Sequence, residues 1–266
     1  MNRLMLRIGL RLIAALALTT YPNAALAQTP EPFVTSPDGR VAVSFRLDDD
    51  GQPEYSVRLG GKELLGPSPL GLQTSLASWD RDLTIAETSD VDRIEDHYQL
   101  LHGKRRDVPY EANWRMVQLA DPEGRQLEIH FQVSNDGLAL RYAIPEQSGV
   151  DSAVVHRELT GFRFSPDAVS WLMPMDHPQT GWMNTNPSYE GHYVIAQPVG
   201  VESPTEVGWS IPALFHDEGA GWALVMESDV DESYVGARLT AEPERGLYRI
   251  GFPDRGEGYG PNDPVD

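Results

Sequence analysis

The chain has 266 residues, with 21 lysines and arginines against 40 aspartates and glutamates, for a formal net charge of −19. So acidic a surface repels phosphate-rich partners, which disfavours nucleic acid and anionic lipid and favours solubility. The absence of cysteine excludes disulfides, thiolate nucleophiles and zinc–sulfur sites, so stability must come from a hydrophobic core.

Arg3, Arg7 and Arg11 precede a short apolar run at residues 12–18, and Ala25-Leu26-Ala27 then places small residues where a signal peptidase reads. This order predicts a leader over residues 1–27 with Gln28 as the new N-terminus, and an exported protein, periplasmic or secreted. The apolar run falls short of the roughly 20 residues that span a bilayer. No later segment is long and apolar enough to span one either. Removing the leader takes away three arginines and no acid, so the formal charge moves from −19 to −22.

The next segments alternate with a period of two. Val41, Val43, Phe45 and Leu47 form one run, closed by Asp48-Asp49-Asp50-Gly51; Tyr55, Val57 and Leu59 form the next, and Gly60-Gly61 turns the chain into residues 62–65. This is a hairpin meander. The clearest pair follows, with Leu127, Ile129, Phe131 and Val133 running out, a turn at Asn135-Asp136-Gly137, and Leu138, Leu140, Tyr142 and Ile144 running back. Further strands are expected over residues 94–101, 114–119, 169–173, 189–195, 221–227, 234–239 and 247–251. Twenty-one prolines and 24 glycines punctuate them, and no stretch of ten residues keeps a helical period. The pattern predicts an all-β, mostly antiparallel sandwich or barrel over residues 28–252. Residues 253–266 lose all periodicity and read as a linker, or as the interrupted start of a further domain.

Motifs for metal hydrolysis, phosphate loops and serine elbows are missing. The seven histidines are scattered. Asp48-Asp49-Asp50-Gly51 begins like a calcium loop, but Pro53 stands where such a loop needs its turn glycine, so it reads as a turn. Asp229, Asp231 and Glu232 read as a solvated loop. The richest segment is residues 171–222, which holds Trp171, Trp182, Trp209 and Trp222 together with Tyr189 and Tyr193. Sugars offer flat C–H faces to aromatic rings and hydroxyls to carboxylates and amides, so a loop mixing these residues suits a saccharide pocket. Trp182, Tyr189 and Trp209 are the sugar-contacting candidates, with Trp182 divided between pocket and packing. Trp171 and Trp222 lie in strand patterns and are expected in the core.

The order of segments resembles the N-terminal domain of glycoside hydrolase family 97, exported bacterial α-glucosidases and α-galactosidases. The matching pieces are Ser36-Pro37-Asp38-Gly39, Gly51-Gln52-Pro53 with Tyr55-Ser56-Val57, Pro67-Ser68-Pro69-Leu70-Gly71-Leu72, and the hairpin from Asn135 to Tyr142. Gly181-Trp182, Ser188-Tyr189-Glu190, Ile211-Pro212-Ala213-Leu214-Phe215 and the Trp222 strand follow in order. The resemblance implies a β-super-sandwich related to galactose mutarotase, followed in the family by a (β/α)8 catalytic barrel and a small β domain. It also implies calcium at the edge of the active site, with one glutamate from this domain and the other ligands from the barrel. The matching position is Glu190, a hard oxygen ligand of the kind calcium takes; Asn184 and Asn186 could add amide oxygens. Read without the resemblance, Glu190 is an ordinary exposed acid.

A (β/α)8 barrel needs about 250 residues, and no alternating strand–helix pattern occurs in this sequence. The expected role is therefore an accessory domain that helps form the carbohydrate and calcium site of a barrel and is not catalytic alone. Two alternatives stay open. One is a stand-alone carbohydrate-binding module using Trp182, Tyr189 and Trp209. The other is a mutarotase-like epimerase, with Glu190 and His192 as the acid–base pair.

Overall fold

The computed structural model describes residues 31–146, 152–175, 192–230, 235–240 and 243–253. Among them every regular element is a β-strand, and every pairing is antiparallel.

The first sheet is the meander read from the sequence: β1 (Val34–Thr35), β2 (Val41–Leu47), β3 (Pro53–Leu59) and β4 (Lys62–Pro69), paired in that order. Gly60 and Gly61 link β3 to β4, both with positive φ (57° and 82°). Such a turn has the twist that matches its flanking strands, and glycine adopts it without steric cost. The triple-aspartate turn between β2 and β3 is held by Asp48, whose Oδ1 accepts the amides of Asp50 at 2.9 Å and Gln52 at 2.8 Å. It is a turn, as expected.

Two short strands, β5 (Leu72–Thr74) and β6 (Ser78–Trp79), lead into β7 (Thr84–Thr88), β8 (Asp92–Gln99), β9 (Asp107–Ala120), β10 (Gln126–Ser134) and β11 (Gly137–Ala143). The last five form one sheet in the order β11-β10-β9-β7, with β8 also on β9. The alternation in β10 has the expected result, since Leu127, Ile129, Phe131 and Val133 are all fully buried. Each such side chain stabilises by roughly 2 kcal/mol through apolar burial. Phe131 meets both Phe33 and Phe45 edge-on, at centroid distances of 5.3 and 5.8 Å. The first two sheets thus share one core.

After β12 (Val155–Glu158), which pairs with β5, come β13 (Gly161–Arg163), β14 (Val169–Leu172), β15 (Val194–Pro198), β16 (Ala213–Asp217), β17 (Gly221–Val225), β18 (Arg238–Leu239) and β19 (Leu247–Gly251). Strands β13, β19 and β18 make a small sheet, and the other four make a sheet in the order β15-β14-β16-β17. The strand expected over residues 189–195 begins at Val194, and residues 189–191 lie outside the described part. The strand expected to reach residue 101 stops at Gln99, and Leu101 is 97% exposed. Residues 1–30 and 254–266, which carry the expected leader and linker, also lie outside the described part.

Candidate functional site

The sheet β15-β14-β16-β17 carries the aromatic-rich segment. In β14, Ser170 and Leu172 turn inward and are fully buried, which turns Val169 and Trp171 outward. In β16, Ala213 and Phe215 are buried, leaving Leu214 and His216 on the outer side. In β17, Val225 points inward, while Trp222 and Leu224 are 54% and 55% exposed. Cross-strand register places Val169, His216 and Trp222 in one row, and Trp171, Leu214 and Leu224 in the next. The rings touch across these rows: His216 stacks on Trp222 at 4.2 Å between centroids, and Trp171 meets Trp222 at 5.0 Å. Ile195 on β15 and Met226 just after β17 extend the outer face, at 66% and 61% exposure.

Trp171 and Trp222 are therefore not core residues. A period of two shows which side chains share a face, not which face is covered. Trp222-Ala223-Leu224-Val225-Met226 is apolar on both sides of the strand, so no polar face marks its outer side. Such runs mark strands covered on both faces.

Trp209 is corrected in the other direction. It is fully buried, bridged to Leu239 by backbone hydrogen bonds of 2.9 Å both ways and to Pro174 by an isolated bridge. With no exposed surface, its indole offers no face to a sugar. Among the described residues its Nε1 finds no hydrogen-bond partner. Trp182, Tyr189 and Glu190, with Asn184 and Asn186, lie outside the described residues. Their segment joins β14 to β15. His192 is exposed and precedes β15, so it belongs to no strand.

A second polar group lies at the junction of β11, β12 and β13. Tyr142 Oη is 2.7 Å from Thr160 Oγ1 and accepts the Gly71 amide at 3.0 Å, while Tyr55 Oη donates to the Gly161 carbonyl at 3.0 Å. Burial pushes both phenols well above the usual tyrosine range. Burial also raises Glu158; a hydrogen bond with Thr160 partly offsets this, and the charge of Glu227 adds to it. Glu227 itself accepts the amide of Ala237 at 3.3 Å.

An open depression of about 420 Å³ is lined by Ser78, Asp80, Asp82, Asp121, Glu123 and Arg125, among others. Three of its carboxylates, Asp80, Asp121 and Glu123, are already paired with arginines. Asp121 accepts Arg125 Nε at 2.6 Å, and Arg125 also reaches Glu123 at 2.7 Å. Burial alone would raise the Asp121 carboxyl, but the amide and guanidinium of Arg125 overcome it and hold it below the usual range. Among the described residues no three acidic or imidazole side chains are grouped to hold a metal ion. No helix among them is long and apolar enough to cross a membrane.

Comparison with known proteins places this architecture. The family model described as glycosyl-hydrolase 97 N-terminal matches residues 34–259. A protein of Streptomyces bingchenggensis (strain BCW-1), described as a probable retaining alpha-galactosidase, is 30% identical over 253 residues, which are 93% of this chain and 36% of that protein. The crystal structure of a beta-arabinopyranosidase superposes with a TM-score of 0.79 at 36% identity, covering 83% of this chain and 35% of the other. A family 97 enzyme from Pseudoalteromonas sp. strain K8, in complex with panose, shares the fold with a TM-score of 0.68 at 20% identity, over 82% of this chain and 31% of its own. The chain thus spans about a third of the length of these relatives. With the family model matched from Val34 across every strand of the sandwich, the chain belongs to glycoside hydrolase family 97, as its N-terminal domain.

Proposed function

We propose that this chain is the accessory domain of an exported family 97 α-glycoside hydrolase, packing on a (β/α)8 catalytic barrel and helping to form its carbohydrate and calcium site. The observation that carries this reading is the family match over residues 34–259, in a chain that spans only 36% of its Streptomyces relative. The β14–β15 connection supplies the polar and aromatic side chains of the site, with Trp182 and Tyr189 against the sugar and Glu190 as a carboxylate ligand of calcium. Calcium takes six to eight oxygens, and the described residues contain no cluster of three acidic or imidazole side chains. As the family resemblance implies, the ion is shared, with most of its ligands on the barrel. Glycoside hydrolysis takes two carboxyls facing each other across the scissile bond; on this reading the barrel holds them, and this domain shapes the pocket. Residues 1–27 act as the export leader.

The test is a chimera in which this chain replaces the matching third of the beta-arabinopyranosidase. Hydrolysis of that enzyme's aryl glycoside is measured as calcium is titrated. The expected result is calcium-dependent turnover, with Glu190→Gln raising the calcium needed at least tenfold. Turnover indifferent to both calcium and Glu190→Gln would overturn the calcium role. Hydrolysis by the chain alone at enzymatic speed would overturn the accessory role.

A further inference from the structure

The outer face of the β15-β14-β16-β17 sheet is apolar over four adjacent strands. Its centre is Trp171, Leu214, Trp222 and Leu224, flanked by Ile195 and Met226; Trp222, Leu224, Ile195 and Met226 are each more than half exposed. Four strands about 4.8 Å apart and about five residues long at 3.4 Å give a planar face on the order of 300 Å². That is the size of the largest patch on an ordinary monomer, and such patches are commonly interaction sites. The strands themselves carry the second sign. In β16 and β17 the inward Ala213, Phe215 and Val225 are apolar, and so are the outward Leu214, Trp222 and Leu224; His216, stacked on the Trp222 ring, is the polar exception on the outer side. Sheets with one wetted face alternate apolar with polar; strands apolar on both sides are covered on both sides.

We infer that this face is the docking surface on which the catalytic domain of the family 97 enzyme seats, an inference that rests on the accessory-domain reading above. Three observations select this occupant. The relatives carry about two thirds of their length beyond the part this chain matches, so a large folded body is available to cover the face. β14 and β15, which bracket residues 176–191, belong to this same sheet, so a domain that shares a site with that connection meets this sheet. The chain's charge of −19 makes two copies repel one another, which disfavours self-association through the face. A sugar is a poorer fit, because its hydroxyls need several hydrogen-bonding neighbours, and around Trp222 only the rings of His216 and Trp171 offer any, while Leu224 offers none. A stable interface buries about 800 Å² per partner, so the apolar face forms the dry centre of a larger contact whose rim is polar.

The full chain is mixed with the part of the beta-arabinopyranosidase that lies outside the matched 35% of its length, and binding is followed by sedimentation and by hydroxyl-radical footprinting. The expected result is a one-to-one complex in which Trp222, Leu224 and Met226 become protected while Leu101, 97% exposed between β8 and β9, does not. The double substitution Trp222→Ser with Leu224→Ser is expected to weaken binding at least tenfold, and Leu101→Ser to leave it unchanged. Footprinting uses the unaltered chain, so the outcome does not depend on the double variant folding. A complex that leaves Trp222 and Leu224 as reactive as before overturns the docking face but leaves the accessory role standing. A wild-type chain that binds nothing sinks the accessory role and this inference together. Self-association that protects Trp222, or millimolar maltose that protects it, assigns the face to another occupant and overturns the proposal.

Discussion

Asn135 Oδ1 accepts the backbone amide of Asp38 at 2.9 Å, across 97 positions of sequence. The contact joins the β1–β2 turn to the β10–β11 turn, and the Arg40 guanidinium adds a longer contact of 3.5 Å to the Asn135 carbonyl. Ser-Pro-Asp-Gly and Asn-Asp-Gly are each common turn sequences; here they interlock two sheets. An exposed hydrogen bond of this kind contributes about 1 kcal/mol net. Asn135→Ala is therefore expected to lower stability by about that much, read as a fall in the urea midpoint at constant slope. An unchanged midpoint would show the interlock to be energetically idle.

The same turn makes an acid-sensitive element. The Ser36 hydroxyl, the Arg40 amide and the Arg40 guanidinium, in that order, hold the Asp38 carboxyl at about 2, below its ordinary 3.8. A depressed carboxyl binds fewer protons in the folded state than in the unfolded. Its contribution is thus complete above the unfolded value of 3.8 and is lost as pH falls towards 2. Asp38→Asn is expected to flatten the acid limb of the stability curve across that window and to leave its slope near neutrality unchanged. Thermal melts of the two proteins over the acid range decide it; parallel curves would mean that Asp38 does not set the limb.

Glu158 works with the opposite sign. Burial, reinforced by the charge of Glu227 and partly offset by Thr160, raises its carboxyl above the ordinary 4.5. The folded state then holds the proton more tightly than the unfolded state, so stability falls as pH rises from 4.5 through the raised folded value. Glu158→Gln keeps the shape without the charge. It should gain on the wild type as pH rises through this range, with little difference in acid. A difference independent of pH would mean that the carboxyl is not ionising in the fold.

The strands with one buried face were the legible part of the sequence. Leu127 to Val133 alternates cleanly and is buried on every second residue, because that sheet has one covered side. β16 has no strand signal of its own, because Ala213-Leu214-Phe215 is apolar on both sides and only His216 marks the outer one. The same ambiguity sent Trp222 to the core. Trp209 was misread for a different reason. It sits in a one-residue bridge between Pro174 and Leu239, and a single bridged residue leaves no pattern in the sequence. What buries it is contact with residues some 30 positions away on either side. The candidate sugar and calcium residues Trp182, Tyr189 and Glu190 rest on composition and family likeness rather than on a burial pattern, and they lie outside the described residues.

That buried bridge supports a last prediction. Gly208 has φ of +132°, and a Cβ there would collide with the carbonyl oxygen of Leu239, the atom that accepts the Trp209 amide. Gly208→Ala therefore strains the backbone and pushes apart the bridge that seats Trp209, at an expected cost of more than about 2 kcal/mol. Trp209→Phe behaves differently. It vacates part of the indole volume, but it also removes an Nε1 that has no partner among the described residues, so the two effects oppose and the loss should be smaller. Calorimetric melts of both variants test the ranking. If Trp209→Phe proves as costly as Gly208→Ala, the indole N–H has a partner after all. If Gly208→Ala melts with the wild type, the bridge is not what holds Trp209 in place.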